Sequence, residues 1–213
     1  PSNPVIGLRS YGDDAEMVGK MASAEIEGLA EYNVIGCAKH FPGHGDVATD
    51  SHYGLPIVNK SKEELLNNEL KPYQVAINQG IEMIMSAHIL YPQLDNTTVY
   101  SEKTKQQEKL PSTLSHKIIT DLLKEHGIVP DYTAGLSLGE YSALYCAGVF
   151  KRQQVIDLAR FRGKVMQEAV SEIESEMIAV LGMKEELLQD LCHQASSLGV
   201  VSISNYNCPG QLV

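Results

Sequence analysis

No basic segment in this sequence could neutralise the phosphates of a nucleic acid. The 17 lysines and arginines are scattered singly among 27 aspartates and glutamates, which gives a net charge of −10 over 213 residues. Binding to DNA or RNA depends on clustered cations that displace the counterions of the phosphates. The composition therefore predicts that nucleic acid is not a partner.

Long apolar runs and paired cysteines are also lacking. The longest apolar stretches, such as IEMIMSAHIL at residues 81–90, fall far short of the about 20 residues that a membrane-spanning helix needs. The four cysteines have no paired spacing, which is typical of reduced cytoplasmic thiols. No signal peptide precedes Pro1. We therefore expect a soluble, cytoplasmic protein with no membrane partner.

The polar run from Cys37 to Pro56, CAKHFPGHGDVATDSHYGLP, follows a short strand predicted at 34–38. Catalytic and binding groups often lie in loops at strand ends. The residue types allow three interpretations: a solvated loop, a metal site of imidazoles and carboxylates, or proton transfer by a histidine–carboxylate pair. The candidate side chains are His40, His44, Asp46, Asp50 and His52.

Alternating helical and extended patterns over residues 13–90 predict a parallel sheet with helical crossovers. Asp13 or Asp14 is expected to cap the first helix, and Ser61 with Glu64 forms a capping-box pattern. Pro72 is expected to separate two helices. The polar segment at 95–113 predicts an irregular surface loop.

Several sequence blocks resemble the bacterial β-N-acetylglucosaminidases of glycoside hydrolase family 3. They are NPVIGLRSYGDD, KHFPGHGDVATDSHYGLP, SKEEL, MIMSAHILYP and TLSHKIITDLL, and the resemblance extends from about residue 3 to residue 122. It implies part of a (β/α) TIM barrel that hydrolyses β-linked N-acetylglucosamine, a small-molecule sugar substrate. It implies no metal ion and no cofactor. Because it begins in mid-domain, we expect a truncated start.

The same resemblance assigns roles to individual residues. Asp50 would orient His52, and the His52 imidazole would protonate the leaving oxygen. His88 would lie at the mouth of the sugar site, although a lone histidine at a strand end is more often a hydrogen-bonded core residue. The residues that would bind sugar hydroxyls are Arg9, Lys39 and His40.

After residue 122 the family 3 pattern stops. Asp131 lies at about the distance expected for the family's nucleophile, but its neighbours do not match. The segment LKEHGIVPDYTAGLSLGEYSAL resembles the malonyl-CoA:acyl carrier protein transacylases, and the resemblance continues to Val213. We therefore predict two domains, a partial barrel at 1–122 and a partial transacylase α/β segment at 123–213 that includes the start of a ferredoxin-like subdomain.

Two residues carry the transacylase prediction. GLSLG at 135–139 fits a nucleophile elbow, a sharp strand-to-helix turn that exposes Ser137, although a simple helix cap has the same pattern. Arg162 falls on the apolar stripe of a helix predicted at 151–170. The resemblance makes Arg162 the group that holds the malonyl carboxylate; otherwise its guanidinium reaches the surface along an apolar stem.

Both predicted active sites lack a reaction partner. A retaining glycosidase needs two catalytic groups across the scissile bond, and a nucleophilic serine needs a base, which the family would place beyond Val213. Three hypotheses remain: a glycosidase, an acyltransferase that moves malonyl groups from coenzyme A to acyl carrier protein, and a joined pair of fragments without turnover. We favour the third as the physical state of the chain, and a family 3 glycosidase as the class that most of the sequence supports.

Overall fold

The computed structural model describes residues 6–7, 10–47, 54–101, 104–172 and 175–213. The chain divides into two compact units, Pro1–Lys164 and Val165–Val213. Helices and strands alternate in both units, so the fold is a partial α/β fold. No helix in the described ranges is long and apolar enough to cross a membrane.

A carboxylate caps the first helix. Helix α1 spans Ala15–Glu31, and the Asp14 carboxylate accepts a hydrogen bond from the Met17 N–H at 2.7 Å. This bond satisfies one of the N–H groups left open at a helix start. The predicted aspartate cap is therefore confirmed, at Asp14.

Two helices connect the first strand to the second. Helix α2 spans Lys62–Asn67 and begins with the predicted capping box between Ser61 and Glu64. Helix α3 spans Lys71–Asn78, with Pro72 in its first turn, so the proline does separate two helices. Helix α1 packs against α3.

Two short strands form a parallel pair. Strand β1 (Cys37–Phe41) pairs with β2 (Met83–Ser86), and the register is irregular between Lys39 and Phe41. The first strand begins three residues later than predicted. The Val34 N–H bonds to the Leu29 carbonyl at 3.0 Å, so residue 34 is still held to the end of α1 and is not available to the strand.

The polar segment at 95–113 is not irregular, so the loop prediction is wrong. Strands β3 (Thr98–Ser101) and β4 (Gln106–Lys109) form an antiparallel hairpin. Their side chains are exposed or half-buried, and the backbone bonds that pair them need no apolar pattern. The polar composition of this segment therefore gave no sign of the β3–β4 hairpin.

The chain then enters a series of short helical segments. A 3₁₀ turn at Ser112–Leu114 leads into a π-helical segment at Lys117–Leu122 and helix α4 at Leu123–Glu125. Helices α5 (Leu138–Cys146) and α6 (Arg152–Ala169) follow. Helix α6 matches the predicted range within one residue at each end.

The buried core lies almost entirely between residues 41 and 122. Its members are Phe41, Val47, Val58, Leu65, Leu70, Tyr73, Ala87, Ile89, Tyr91, Ile118 and Leu122. Later in the described chain, the buried apolar side chains are Val155, Ile156 and Leu212. Large apolar groups there are mostly exposed; Tyr132 is 95% accessible. The core therefore forms around β1 and β2.

The second unit forms its own small sheet. Strands β5 (Val180–Leu181), β6 (Tyr206–Cys208) and β7 (Gln211–Leu212) are antiparallel in the order β5-β7-β6. Helix α7 (Glu185–Ala195) connects β5 to the β6–β7 hairpin. The second unit thus has the order strand, helix and two-stranded hairpin.

Candidate functional sites

The described site residues fall into two groups, and three further site residues lie outside the described part of the chain. Arg9, Asp50 and His52 lie outside the described residues. Lys39 and His40 belong to β1, and His88 follows β2 by two residues. Ser137 precedes α5 and contacts Arg162 of α6. The structure thus presents two candidate sites within the first unit.

His40 and His88 lie at the carboxyl ends of neighbouring parallel strands. Lys39 is opposite Met85 in the register, and the Phe41 carbonyl accepts a hydrogen bond from the Ala87 N–H at 2.7 Å. His40 precedes Phe41, and His88 follows Ala87. The carboxyl ends of parallel strands are where α/β proteins bind ligands. The pairing of β1 with β2 therefore brings the predicted sugar-binding residues to one edge of the sheet.

The His88 imidazole is hydrogen-bonded. Its Nδ1 lies 2.8 Å from Thr113 Oγ1, and the side chain is half-buried. Burial lowers the pKa of His88 below its ordinary value of 6.5. The imidazole is therefore neutral at pH 7 and can exchange hydrogen bonds with a neutral sugar.

The segment after β1 is held against the core. His44 is 8% exposed, and its ring centroid lies 5.4 Å from that of His40. The Tyr91 hydroxyl donates a hydrogen bond to the Gly43 carbonyl. Val47, at the end of the segment, is 5% exposed and belongs to the core. These contacts fix residues 43–47, a part of the polar run that precedes Asp50 and His52 in sequence.

Sequence reasoning missed the ion pairs that hold this segment. Lys60 Nζ lies 2.6 Å from Asp46 Oδ2 and also contacts Glu69 Oε1. Burial opposes the charge of Lys60, but the hydrogen bonds and negative charges of Asp46 and Glu69 outweigh it and raise the pKa of Lys60. These charges are 9 to 23 positions apart in sequence, so no local pattern could have revealed them.

Ser137 occupies the sharp turn that begins α5. Its backbone has φ 55° and ψ −115°, an unusual conformation for a residue other than glycine. A Cβ atom on Gly135 would lie 2.0 Å from the Gly139 carbonyl oxygen, so only glycine fits there. Residues 128–136 form no strand in the described structure. The turn and helix of a nucleophile elbow are thus present without the strand.

Ser137 and Arg162 contact each other directly. Arg162 Nη2 donates a hydrogen bond to Ser137 Oγ at 2.7 Å. A guanidinium is a permanent donor with no acceptor capacity, so it cannot take the serine proton. The pair can bind an anion beside the hydroxyl but cannot activate the hydroxyl as a nucleophile.

Comparison with known proteins identifies the first part of the chain. Residues 1–130 match the family described as glycosyl hydrolase family 3 N terminal domain, which covers more than half of the chain. The chain belongs to glycosyl hydrolase family 3. Beta-hexosaminidase A of Pseudoalteromonas piscicida is 38% identical to this family 3 chain over 125 residues, which cover 58% of this chain and 21% of that protein.

Two further comparisons concern a curated relative of a second family and a solved structure. Malonyl CoA-acyl carrier protein transacylase of Bacillus subtilis (strain 168) is 42% identical over 114 residues, which cover 53% of this family 3 chain and 36% of that enzyme. The structure of NagZ from Neisseria gonorrhoeae in complex with N-trifluoroacetyl-D-glucosamine matches with a TM-score of 0.54 and 30% identity over 73% of this chain and 41% of that one. The chain thus spans well under half of each of these relatives.

Proposed function

We propose that the family 3 region binds the N-acetylglucosamine unit of β-linked sugars at the carboxyl ends of β1 and β2. The observation that carries this proposal is the register of the two strands, which brings His40 and His88 to one edge. The beta-hexosaminidase relatives support the choice of sugar. Such sugars occur in cell-wall fragments recycled in the cytoplasm, where we place the protein.

The proposed roles follow the family resemblance. Lys39, His40 and Arg9 would donate hydrogen bonds to the sugar hydroxyls, because cationic and imidazole N–H groups are strong donors. Asp50 would orient the imidazole of His52, and His52 would supply a proton to the leaving oxygen. The surrounding architecture would be part of a (β/α) TIM barrel.

We further propose that the chain binds sugar without completing the hydrolysis. Retaining hydrolysis needs a second group on the opposite side of the scissile bond. Two carboxylates near β1 and β2 have structural partners. The buried Asp95 accepts hydrogen bonds from Thr97 and Ser115, and the half-buried Glu69 pairs with Lys60. Asp131 is exposed and lies outside any helix or strand. None of these three carboxylates is suited to serve as the nucleophile.

A titration with N-acetylglucosamine, followed by NMR, tests sugar binding. We expect Lys39→Ala and His40→Ala each to weaken binding about tenfold, as loss of one charge-assisted or well-oriented hydrogen bond would. Lys20→Ala, which changes an exposed lysine on α1, is the matched control and should leave the affinity unchanged. Equal affinities for all four proteins would refute the proposed site.

An assay for release of N-acetylglucosamine from a β-linked substrate tests whether turnover occurs. We expect none above the rate of a His52→Ala variant. Turnover that His52→Ala abolishes would show that a second catalytic group is present and would overturn the proposal of incomplete hydrolysis. The same assay leaves the binding proposal standing.

A second candidate function rests on the contact between Arg162 and Ser137. We propose that Arg162 binds the free carboxylate of a malonyl group carried by coenzyme A or acyl carrier protein, beside the Ser137 hydroxyl. The guanidinium fork suits a carboxylate, and the Ser137 turn exposes the hydroxyl. If the chain has this second function, the start of a ferredoxin-like subdomain would consist of β5, α7 and the β6–β7 hairpin.

Binding of malonate distinguishes this function from sugar binding. Malonate should shift NMR signals of residues 135–140 and of Arg162, whereas malonamide, which carries no carboxylate, should not. Arg162→Gln should abolish the malonate effect, and Arg160→Gln is the matched control on the same helix. No transfer of malonyl groups is expected, because the group that contacts Ser137 cannot act as a base.

A further inference from the structure

The 3₁₀ turn at Ser112–Leu114 is bonded to both neighbours of His88. Ser112 Oγ donates a hydrogen bond to the Ala87 carbonyl, and the Ser112 N–H donates to the Ile89 carbonyl at 2.7 Å. The Ile89 N–H in turn donates to Ser112 Oγ at 3.4 Å. Ser112 has 0% exposed surface. Because the bonds flank His88, the turn has a fixed position relative to the imidazole.

A buried carboxylate holds the other end of the turn. Ser115 is 0% exposed, and its Oγ donates a hydrogen bond to Asp95 Oδ2 at 2.7 Å. Asp95 also accepts hydrogen bonds from the Thr97 N–H and hydroxyl, at 3.0 and 2.7 Å, and lies 3.5 Å from Lys117 Nζ. Thr113 therefore lies between two buried serines, Ser112 and Ser115, and each of them is hydrogen-bonded to a residue in another part of the chain.

The contact with Thr113 bears on where the proton of His88 lies. Among the described residues, the hydrogen-bond partner of the Thr113 hydroxyl is His88 Nδ1, at 2.8 Å. A hydroxyl with one acceptor in reach satisfies its O–H group by donating to that acceptor. With the hydroxyl as donor, Nδ1 is unprotonated, and a neutral imidazole carries its proton on Nε2.

We propose that Thr113 is a positioning residue of the sugar site: its hydroxyl donates to Nδ1 of His88, and this holds the imidazole as the Nε2–H tautomer, a donor to a sugar oxygen. The identity of the ligand rests on the proposed function. The placement of the proton does not, because it follows from contacts within the chain.

Long-range ¹H–¹⁵N NMR spectra of the histidine side chains test the placement directly. The chain has seven histidines, so the His88 signals are those that disappear in His88→Gln. At pH 7 and without sugar, we expect the shift of an unprotonated nitrogen for Nδ1 and of a protonated nitrogen for Nε2. Thr113→Ser should keep these shifts, and Thr113→Val, which has the same shape but no hydroxyl, should move them toward a mixture of tautomers.

Thr104→Val is the matched control for the loss of a threonine hydroxyl. Thr104 Oγ1 donates to Glu108 at 2.6 Å on the exposed hairpin, far in sequence from His88. Its replacement should leave the His88 shifts unchanged. A protonated Nδ1 in the unaltered protein would overturn the inference, and so would identical His88 shifts in Thr113→Val and Thr113→Ser.

Affinity for N-acetylglucosamine gives the second readout. Thr113→Val should weaken binding about threefold to tenfold relative to Thr113→Ser, since one oriented hydrogen bond is lost. Equal affinities of the two variants would overturn the role of Thr113 in the site. If the unaltered protein binds no sugar, the proposed function fails, whereas the NMR shifts still decide where the His88 proton lies.

Discussion

Lys60 Nζ lies 2.6 Å from Asp46 Oδ2, and the same ammonium group contacts Glu69. Asp46 follows β1 and Glu69 follows α2, so one lysine joins two elements that flank the candidate sugar site. The Glu69 side chain is only 10% exposed, whereas that of Asp46 is 56% exposed. The contact with Glu69 is therefore the one that matters for stability.

Replacement of Lys60 by methionine should destabilise the fold. Methionine keeps the apolar stem of lysine but has no positive charge, so the largely buried Glu69 carboxylate loses its cationic partner. We expect this loss to lower the free energy of unfolding by about 1–3 kcal/mol. Urea unfolding at pH 7 measures the loss. Lys60→Arg should retain most of the stability, and Asp46→Asn should cost less than Lys60→Met. Equal stability of Lys60→Met and the unaltered protein would refute this account.

The contribution of Lys60 to the free energy of unfolding should decrease at alkaline pH. Its pKa is raised in the folded state above the usual 10.5. The stabilisation is therefore fully present below pH 10.5 and is lost as pH rises through the folded pKa. The difference in unfolding free energy between the unaltered protein and Lys60→Met should shrink above about pH 10.5. Lys60→Arg, whose charge persists, should show no such decrease.

Gly43→Ala should destabilise residues 43–47 of the polar run. A Cβ atom on Gly43 would lie 2.8 Å from both Cβ and Cγ of Glu69, and the Gly43 φ of 151° disfavours other residues. We expect a loss of about 1–3 kcal/mol in urea unfolding. Gly45→Ala is the control, because its Cβ would meet nothing within 4 Å, and it should change stability by no more than about 0.5 kcal/mol.

Local signals in the sequence predicted the parts of the fold that depend on near neighbours. Asp14 as helix cap and the capping box of Ser61 and Glu64 join groups three residues apart, so their patterns are visible in sequence. The β3–β4 hairpin was missed because backbone bonds, rather than apolar side chains, define it. Beyond residue 123 the helix predicted at 151–170 is present as α6, yet the large apolar side chains of this part mostly remain exposed.

The candidate site was predictable only in part, for a similar reason. The strand patterns placed Lys39, His40 and His88 at strand ends, and pairing of β1 with β2 brought those ends together. Thr113 is 25 positions from His88, and no local pattern joins them. Only the folded chain reveals such a partner.

The ionised carboxylate of Asp95 should stabilise the fold, and protonation at acidic pH should remove this stabilisation. Burial disfavours its charge, but hydrogen bonds from Thr97 and Ser115 and the charge of Lys117 outweigh burial and lower the pKa of Asp95 below 3.8. The stabilisation is therefore present above pH 3.8 and is lost as pH falls through the folded pKa. Asp95→Asn should cost about 1–3 kcal/mol at pH 7.

Urea unfolding from pH 7 to pH 2 measures this dependence. The difference between the unaltered protein and Asp95→Asn should be constant down to about pH 4 and shrink below it. Asp131→Asn, at an exposed position, is the control and should show no cost at pH 7 beyond about 0.5 kcal/mol. A difference that grows on acidification would contradict the assigned role of Asp95.

Gly135→Ala should open the turn that exposes Ser137. The added Cβ would lie 2.0 Å from the Gly139 carbonyl oxygen and 2.5 Å from the Glu140 nitrogen, and backbone atoms cannot move aside as a flexible side chain can. Amide hydrogen exchange of residues 138–146 should therefore speed up strongly. At Gly139 an added Cβ meets nothing within 4 Å, so Gly139→Ala should keep or slow the exchange, because alanine favours a helix. Equal exchange in the two variants would show that close packing of Gly135 does not hold the turn.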